Sequence, residues 1–386
     1  LHAHSQHSLR DSAAHVEDLV ERAKALGMRA MAITDHDSAA VAPEFRAAAL
    51  ASEIRPIQGA EISFKGTPDG PFHLTLLAED DDGFGNLCEI LTRARSMRFD
   101  TAPVREGSKT PWGKASVPLA TPEILEGKTE HLLCLTGCVK SELSHHLLRR
   151  EDDLAEQTLA RWVALFGANN VFVELQDHRL GFEPSLNARK CDLARRFGLP
   201  VVATNNVHTL AREDFWVHEA LACWRAGRQS RRTVFPDRPR SAEVYLKSPD
   251  EMAVAFAGRP DALRNTLVIA ERCRPVLDPS IRRWPRFFPP EGFTEETYLD
   301  HLTGIGARAR FGDPLTDDIR RRIQYELRLI RDKGFAGYFL QVWDTCRWMR
   351  KEDILYRVRG SAGGSVVAYC LYVGTINPFE YNLSFD

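Results

Sequence analysis

The chain has 386 residues, 44% hydrophobic and 27% charged, with 51 Lys+Arg against 53 Asp+Glu for a net charge of −2. That length predicts two to three domains with a core that needs no disulfide support, and the balanced charge excludes a globally basic nucleic-acid or membrane-surface protein. Eight cysteines without repeated spacing argue for a reducing, cytoplasmic setting, and the lack of a long apolar run or basic-then-apolar leader argues against a membrane span or secretion signal. Starting at Leu1 rather than Met and stopping at Asp386 without a terminal signature, the chain reads as a fragment.

Val16, Leu19, Val20, Ala23 and Leu26 recur at helical spacing, Gly27 ends that helix, and Ala30 to Ile33 is a short apolar strand. The alternation repeats. Strands are expected around Ile57–Ile62, Leu74–Leu77, Leu132–Leu135, Val171–Leu175 and Val201–Ala203, with helices at Ala47–Ala51, Leu87–Ala94, Leu154–Leu165 and Leu186–Phe197. Solid apolar strands separated by helices indicate a parallel sheet covered on both faces. With Leu1–His4 counted, about seven strands suit a closed or nearly closed β/α barrel; a doubly wound open sheet is the alternative. Phe99 to Leu119 reads as a surface insertion and Arg225 to Arg240 as a basic loop. Beyond a Pro-rich stretch at Pro285–Gly292, two apolar stripes mark new helices: Ile319, Ile323, Leu327, Ile330, and then Phe339, Val342, Trp343, Cys346. The expected domains are 1–275 and 276–386.

The sharpest chemical signal is His2-Ala3-His4 with Asp11. In an extended segment residues i and i+2 share a side, so both imidazoles can face one cation. Thr34-Asp35-His36-Asp37 follows a strand, as do Glu61, Cys138, and Asn206 with His208, so ligand-type groups gather where a β/α barrel builds its site. His73 precedes its strand and is the exception. Nitrogen, carboxylate and one thiol suit zinc, manganese or iron, and the number of groups implies two or three ions of the kind that activate water against phosphate esters. Asp35 can orient a ligand or cap a helix, His145 and His146 read as surface residues, His178 as a residue that could line the barrel mouth, and Cys134 as core.

The segments LHAHSQHSLRD, AITDHD, GAEISF, PFHLTLLAED, CLTGC and VVATNNVH together resemble the PHP (polymerase and histidinol phosphatase) domain, in the version that opens the bacterial C-family replicative DNA polymerases. The resemblance implies a seven-stranded barrel in which His2, His4, Asp11, His36, Glu61, His73, Cys138, Asn206 and His208 hold up to three Zn²⁺ or Mn²⁺ ions. Family members with intact sites carry Asp at position 206. An amide oxygen can still coordinate, but it is uncharged and cannot act as a base.

The C-terminal part holds KGFAGYFLQVWD and RGSAGGSVVAY. A Gly-rich turn with serine hydroxyls can wrap N–H groups around phosphate, or it can simply pack helices. From Ile319 to Arg359 there are 11 Lys+Arg against 5 Asp+Glu, a cluster suited to a polyphosphate or nucleic-acid backbone. These segments and the closing NPFEYNLSFD resemble the start of the C-family palm, an α+β domain related to nucleotidyltransferases. The resemblance implies that Arg359, Gly360, Ser361 and Ser365 contact the triphosphate of a dNTP, that primer–template DNA is the partner, and that sliding clamp and replisome subunits bind through regions beyond residue 386. The family's Gly-Pro-Gly-Arg run is Tyr356-Arg357-Val358-Arg359 here, and its Asp-x-Asp strand, which binds Mg²⁺, would follow Asp386. The expected function is DNA-directed DNA polymerase with a PHP domain that proofreads 3′→5′ or supports the fold. A free-standing metal-dependent phosphoesterase and a non-catalytic metal-stabilised scaffold are the alternatives.

Overall fold

The computed structural model describes residues 1–65, 71–96, 99–100, 116–227, 238–281 and 284–385. Most of the expected insertion at Phe99–Leu119 and of the basic loop at Arg225–Arg240 lies outside the described residues, as does Asp386. The chain forms two compact units, Leu1–Asp278 and Pro279–Asp386. Among the described residues no helix is long and apolar enough to cross a membrane.

The first unit is built on a curled six-stranded sheet whose strands neighbour one another in chain order: β1 (Ala30–Ile33), β2 (Arg55–Phe64), β3 (Phe72–Ala78), β4 (Leu132–Leu135), β5 (Val171–Gln176) and β6 (Val201–Thr204). Every residue of β4, β5 and β6 is buried, because both faces are covered. One face carries Ile62, Leu74, Leu76, Cys134 and Val173 against α2 (Ala42–Ala51), α3 (Asp81–Ser96), α4 (Glu142–Arg149), α5 (Asp152–Phe166) and α6 (Glu183–Phe197), while α1 (Val16–Ala25) packs with Met31, Ile33 and Phe45 in a neighbouring cluster. On the other, concave face, Ala32, Ile57, Leu77, Leu133, Leu135, Phe172 and Val202 close an apolar floor with Ile269 and Cys273. Strand alternation then places Glu61, Thr75, His73, Glu174, Gln176 and Thr204 on that same face, toward the other end. The interior is therefore apolar at one end and polar at the other.

Two expectations change. The sheet is not all parallel: β3 runs antiparallel to both β2 and β4, with Ser63 opposite His73 and Thr75 opposite Leu135. Reversal brings the first residues of β3 to the end where the parallel strands finish, which resolves the exception of His73. Leu1–His4 is also not a ladder strand. It forms an isolated bridge through Ala3 and Val207, with His4 N–H donating to Val207 C=O (2.8 Å) and Thr34 N–H to Ala3 C=O (2.8 Å), so it bridges β1 and the turn after β6.

After β6 the unit adds α7 (Phe215–Arg225) and α8 (Pro260–Arg272). The regular elements among the second unit's described residues are helices: α9 (Glu295–Phe311), α10 (Asp317–Asp332), α11 (Ala336–Lys351) and the short α12 (Val366–Cys370). Leu299, Ile330, Leu340, Val367 and Leu371 form its core. Much of the basic surplus is locally paired, as in Arg321–Asp318, Arg331–Asp300 and Arg347–Asp344 (2.6 Å).

Candidate metal centre

The polar end of the sheet gathers all nine expected donors into one cluster. Glu61 reaches two ways from β2. Its Oε2 lies 2.6 Å from His2 Nε2 and 3.1 Å from His4 Nε2, while its Oε1 pairs with His73 and sits 3.7 Å from Cys138 Sγ. Asp11 Oδ2 meets His36 Nε2 at 2.8 Å and His208 Nε2 at 3.0 Å. The His4 ring lies 4.3 Å from that of His36 and 4.6 Å from that of His208, and Asn206 Oδ1 is 3.0 Å from His4 Nε2. The donors fall into overlapping triads, among them His2–His4–Glu61, His36–Glu61–His73 and His4–His36–His208.

Local backbone explains how these side chains converge. Asn206 adopts a left-handed φ of 42°, which Asn tolerates better than most residues. Gly137 has φ 87° and sits so close to β3 that a Cβ there would lie 2.4 Å from the carbonyl oxygen of His73. This is what brings the Cys138 turn against the start of β3. Asp35 accepts Ser5 N–H and the hydroxyls of Ser5 and Ser8, each at 2.7 Å. It therefore holds the turn after His4 and caps no helix.

The outer nitrogens decide the tautomers. His4 Nδ1–H donates to Ser8 Oγ (3.0 Å), whose own proton is given to Asp35, and His208 Nδ1–H donates to the Asn206 carbonyl (2.7 Å). Burial, reinforced by His36 and His2, keeps the His4 imidazole well below its usual pKa, and burial with His218 and His4 does the same at His208. Their Nε2 atoms are then bare lone pairs facing carboxylate or amide oxygens about 3 Å away. Acceptor against acceptor is repulsive, and a bound cation relieves it, so the donor set fits divalent metal ions. Burial pushes the Cys138 thiol up to about 11, so ion binding there must displace a proton. Burial opposes ionisation of Asp11, but the hydrogen bond and charge of His36 hold it well below the usual carboxylate range.

Three further residues complete the surroundings. Glu174, fully buried on β5, accepts His2 Nδ1–H at 2.7 Å, Gln176 Nε2 at 2.9 Å and the Thr204 hydroxyl. Burial raises its pKa, yet the charge and hydrogen bond of His2 win and leave it at about 2. A lone carboxylate inside the apolar run VFVEL was the available signal. His218 and Arg225 lie on α7: His218 Nδ1–H donates to the Asp11 carbonyl (2.7 Å) and Arg225 pairs with Asp11 Oδ1. No motif in the sequence marks them.

His178 lines the mouth, but both its ring nitrogens are engaged, with Glu183 and the Asn205 carbonyl (3.0 Å each), so it braces two loops. His146, expected at the surface, is buried against Glu151 (2.8 Å), because α4 packs that side inward. Cys134 is fully buried in the core. In the second unit Arg359, Gly360 and Ser361 are exposed, whereas Ser365 is buried. Its hydroxyl donates to Glu326 Oε2 (2.8 Å) and accepts Ala368 N–H (3.0 Å). Glu326 Oε2 also takes Val367 N–H (3.1 Å). The chain thus caps α12 with its own carboxylate and hydroxyl, and Ser365 does not face outward with Ser361.

Comparison with known proteins agrees with this layout. Residues 1–178 match the PHP domain, and residues 297–386 match the bacterial DNA polymerase III alpha NTPase domain. The whole chain aligns with an error-prone DNA polymerase of Symbiobacterium thermophilum (39% identity, 35% of that protein). It also aligns over its whole length with the DNA polymerase III subunit alpha of Treponema pallidum (33% identity, 33% of that protein) and an error-prone DNA polymerase of Mycobacterium tuberculosis (34% identity, 34% of that protein). The chain spans about a third of the length of these curated relatives. With both domain matches in the same order and similarity from end to end, this chain is similar to bacterial DNA polymerase III alpha subunits and error-prone DNA polymerases.

Proposed function

We propose that this chain is the N-terminal part of a cytoplasmic C-family DNA polymerase that adds dNMP to a primer 3′-hydroxyl. Primer–template DNA and dNTPs are its substrates, and the sliding clamp and other replisome subunits are its partners through segments outside these residues. The pairing of a PHP domain with a polymerase III alpha domain in one chain carries this reading. The Mg²⁺-binding aspartates of polymerisation would follow Asp386, with Arg359, Gly360 and Ser361 meeting the triphosphate from the exposed side of their loop. Reading the encoding DNA onward from Asp386 tests this: an Asp-x-Asp in an apolar strand supports polymerisation, and a stop codon refutes it.

Within the first unit the nine-donor cluster would hold Zn²⁺ or Mn²⁺ in a seven-stranded PHP barrel whose seventh member is the Leu1–His4 segment. Bound ions would supply an activated water and stabilise the oxygens of a phosphodiester. The residues themselves hold His4 and His208 neutral and Asp11 ionised, so the cluster is set to take cations. The facing of bare Nε2 atoms onto Glu61, Asp11 and Asn206 is the observation that carries metal binding. Asn206 supports the second reading, a centre that binds metal without hydrolysis. The Mn²⁺-loaded chain and its Asn206→Asp variant, given a 3′-mismatched primer, separate the two. Hydrolysis by either supports proofreading chemistry; bound metal with no hydrolysis in both leaves the scaffold role.

A further inference from the structure

Over the cluster opens a cavity of about 320 Å³. Asp11 is the only carboxylate among the described residues that line it, against four cations: Lys140, Arg225, Arg238 and Arg240. Such a lining favours an anion before any metal is counted. Arg238 is partly neutralised by Glu219 at 3.1 Å, and Arg240 is exposed. Arg225 differs from both.

Arg225 ends α7, two turns after His218 and on the same face. The two residues grip Asp11 at separate points. His218 takes its backbone carbonyl and Arg225 its Oδ1, while Oδ2 stays with His36 and His208. Asp11 is therefore already oriented by groups other than Arg225. Arg225 meets Asp11 through Nη1, and its side chain is 34% exposed. A guanidinium carries five N–H donors in a planar fork matched to phosphate oxygens. Its pairing with Asp11 keeps the fork at the edge of the donor cluster, where an ester phosphate would have to sit to meet both.

We propose that Arg225 is the residue that binds a non-bridging phosphate oxygen of the ester taken into this cavity. The proposal rests on reading the cluster as a phosphoesterase-type metal centre, and it extends the site onto α7, beyond the residues matched by the PHP domain. Lys140 and Arg240 add attraction at the mouth.

The test uses the 386-residue chain loaded with Mn²⁺, as wild type, Arg225→Gln and Arg225→Lys. Inorganic phosphate is titrated calorimetrically, bound manganese is counted by elemental analysis, and hydrolysis of bis(4-nitrophenyl) phosphate is followed separately. Expected is a phosphate affinity about 10- to 100-fold weaker in Arg225→Gln, with metal content unchanged and part of the affinity regained in Arg225→Lys. Unchanged phosphate affinity, or no phosphate binding by the wild type, overturns the proposal. A parallel loss of manganese overturns it too, since Arg225 would then act by holding Asp11. A wild type that binds phosphate without hydrolysing the diester refutes the hydrolytic reading alone and leaves the assignment of Arg225 standing.

Discussion

Replacing Glu174 by Gln removes one charge from a site that keeps its shape. Glu174 is fully buried and its Oε1 holds the outer nitrogen of His2 at 2.7 Å. It thereby sets which nitrogen of His2 points at Glu61, 2.6 Å away. A hydrogen bond to a charged group contributes about 1.5–3 kcal/mol, against about 1 kcal/mol for a neutral pair. The substitution thus forfeits about 0.5–2 kcal/mol of ligand orientation, or about 2- to 30-fold in metal affinity, in line with the effect of outer carboxylates on ligating histidines. Competition for Zn²⁺ against a chromophoric chelator measures it, with the melting temperature of the zinc-free protein as the control for folding. A variant whose zinc affinity stays within about twofold of wild type, while His2→Ala loses the metal, would refute the idea that Glu174 acts through His2.

Gly137→Ala should destabilise the first unit by about 1–3 kcal/mol, because φ is 87° and the new Cβ would press on the His73 carbonyl; urea unfolding reads this out, and an unchanged midpoint would show that the turn relaxes freely. Glu326→Ala strips the acceptor from Ser365 and Val367 and from Arg322 Nε (2.7 Å). Breaking a buried pair costs about 3–5 kcal/mol; since Arg322 is 30% exposed, the lower end is expected, with faster hydrogen exchange at the Val367 and Ala368 amides as the local signature. Chelation of a metal-loaded sample should lower its melting temperature, whereas a melting curve indifferent to chelator would leave the donor cluster without a structural role for metal.

Periodicity was enough to place β1 through β6, since continuous apolar runs bounded by helical stripes have few other uses. It could not show the direction of β3. Chain direction leaves no mark on which residues are apolar, and the short β2–β3 connection is the one sequence clue to an antiparallel pair. Most of the donors were legible through their repeated position at strand ends; His73, at the start of β3, was not. Glu174 was hidden by its setting in an apolar strand, and His218 and Arg225 by lying on a helix whose pattern looks like any other. Ser365 went astray for a different reason. A serine ahead of an apolar helix serves equally well to cap that helix or to meet a ligand, and only the distant Glu326 decides between them.

The donors span the chain from His2 to His208, with Glu61, His73 and Cys138 between. An ion shared by His4 and His208 would act on the polymer as a clasp, closing a loop of about 200 residues. By the reckoning used for disulfides, such a closure removes roughly 5 kcal/mol of chain entropy from the unfolded state. The Glu61–His73 pair, by contrast, closes only a hairpin. Metal at the wide clasp would then govern whether the two ends of the sheet part at all, and hence how readily a protease enters there, while metal at the hairpin would change little beyond its own turn.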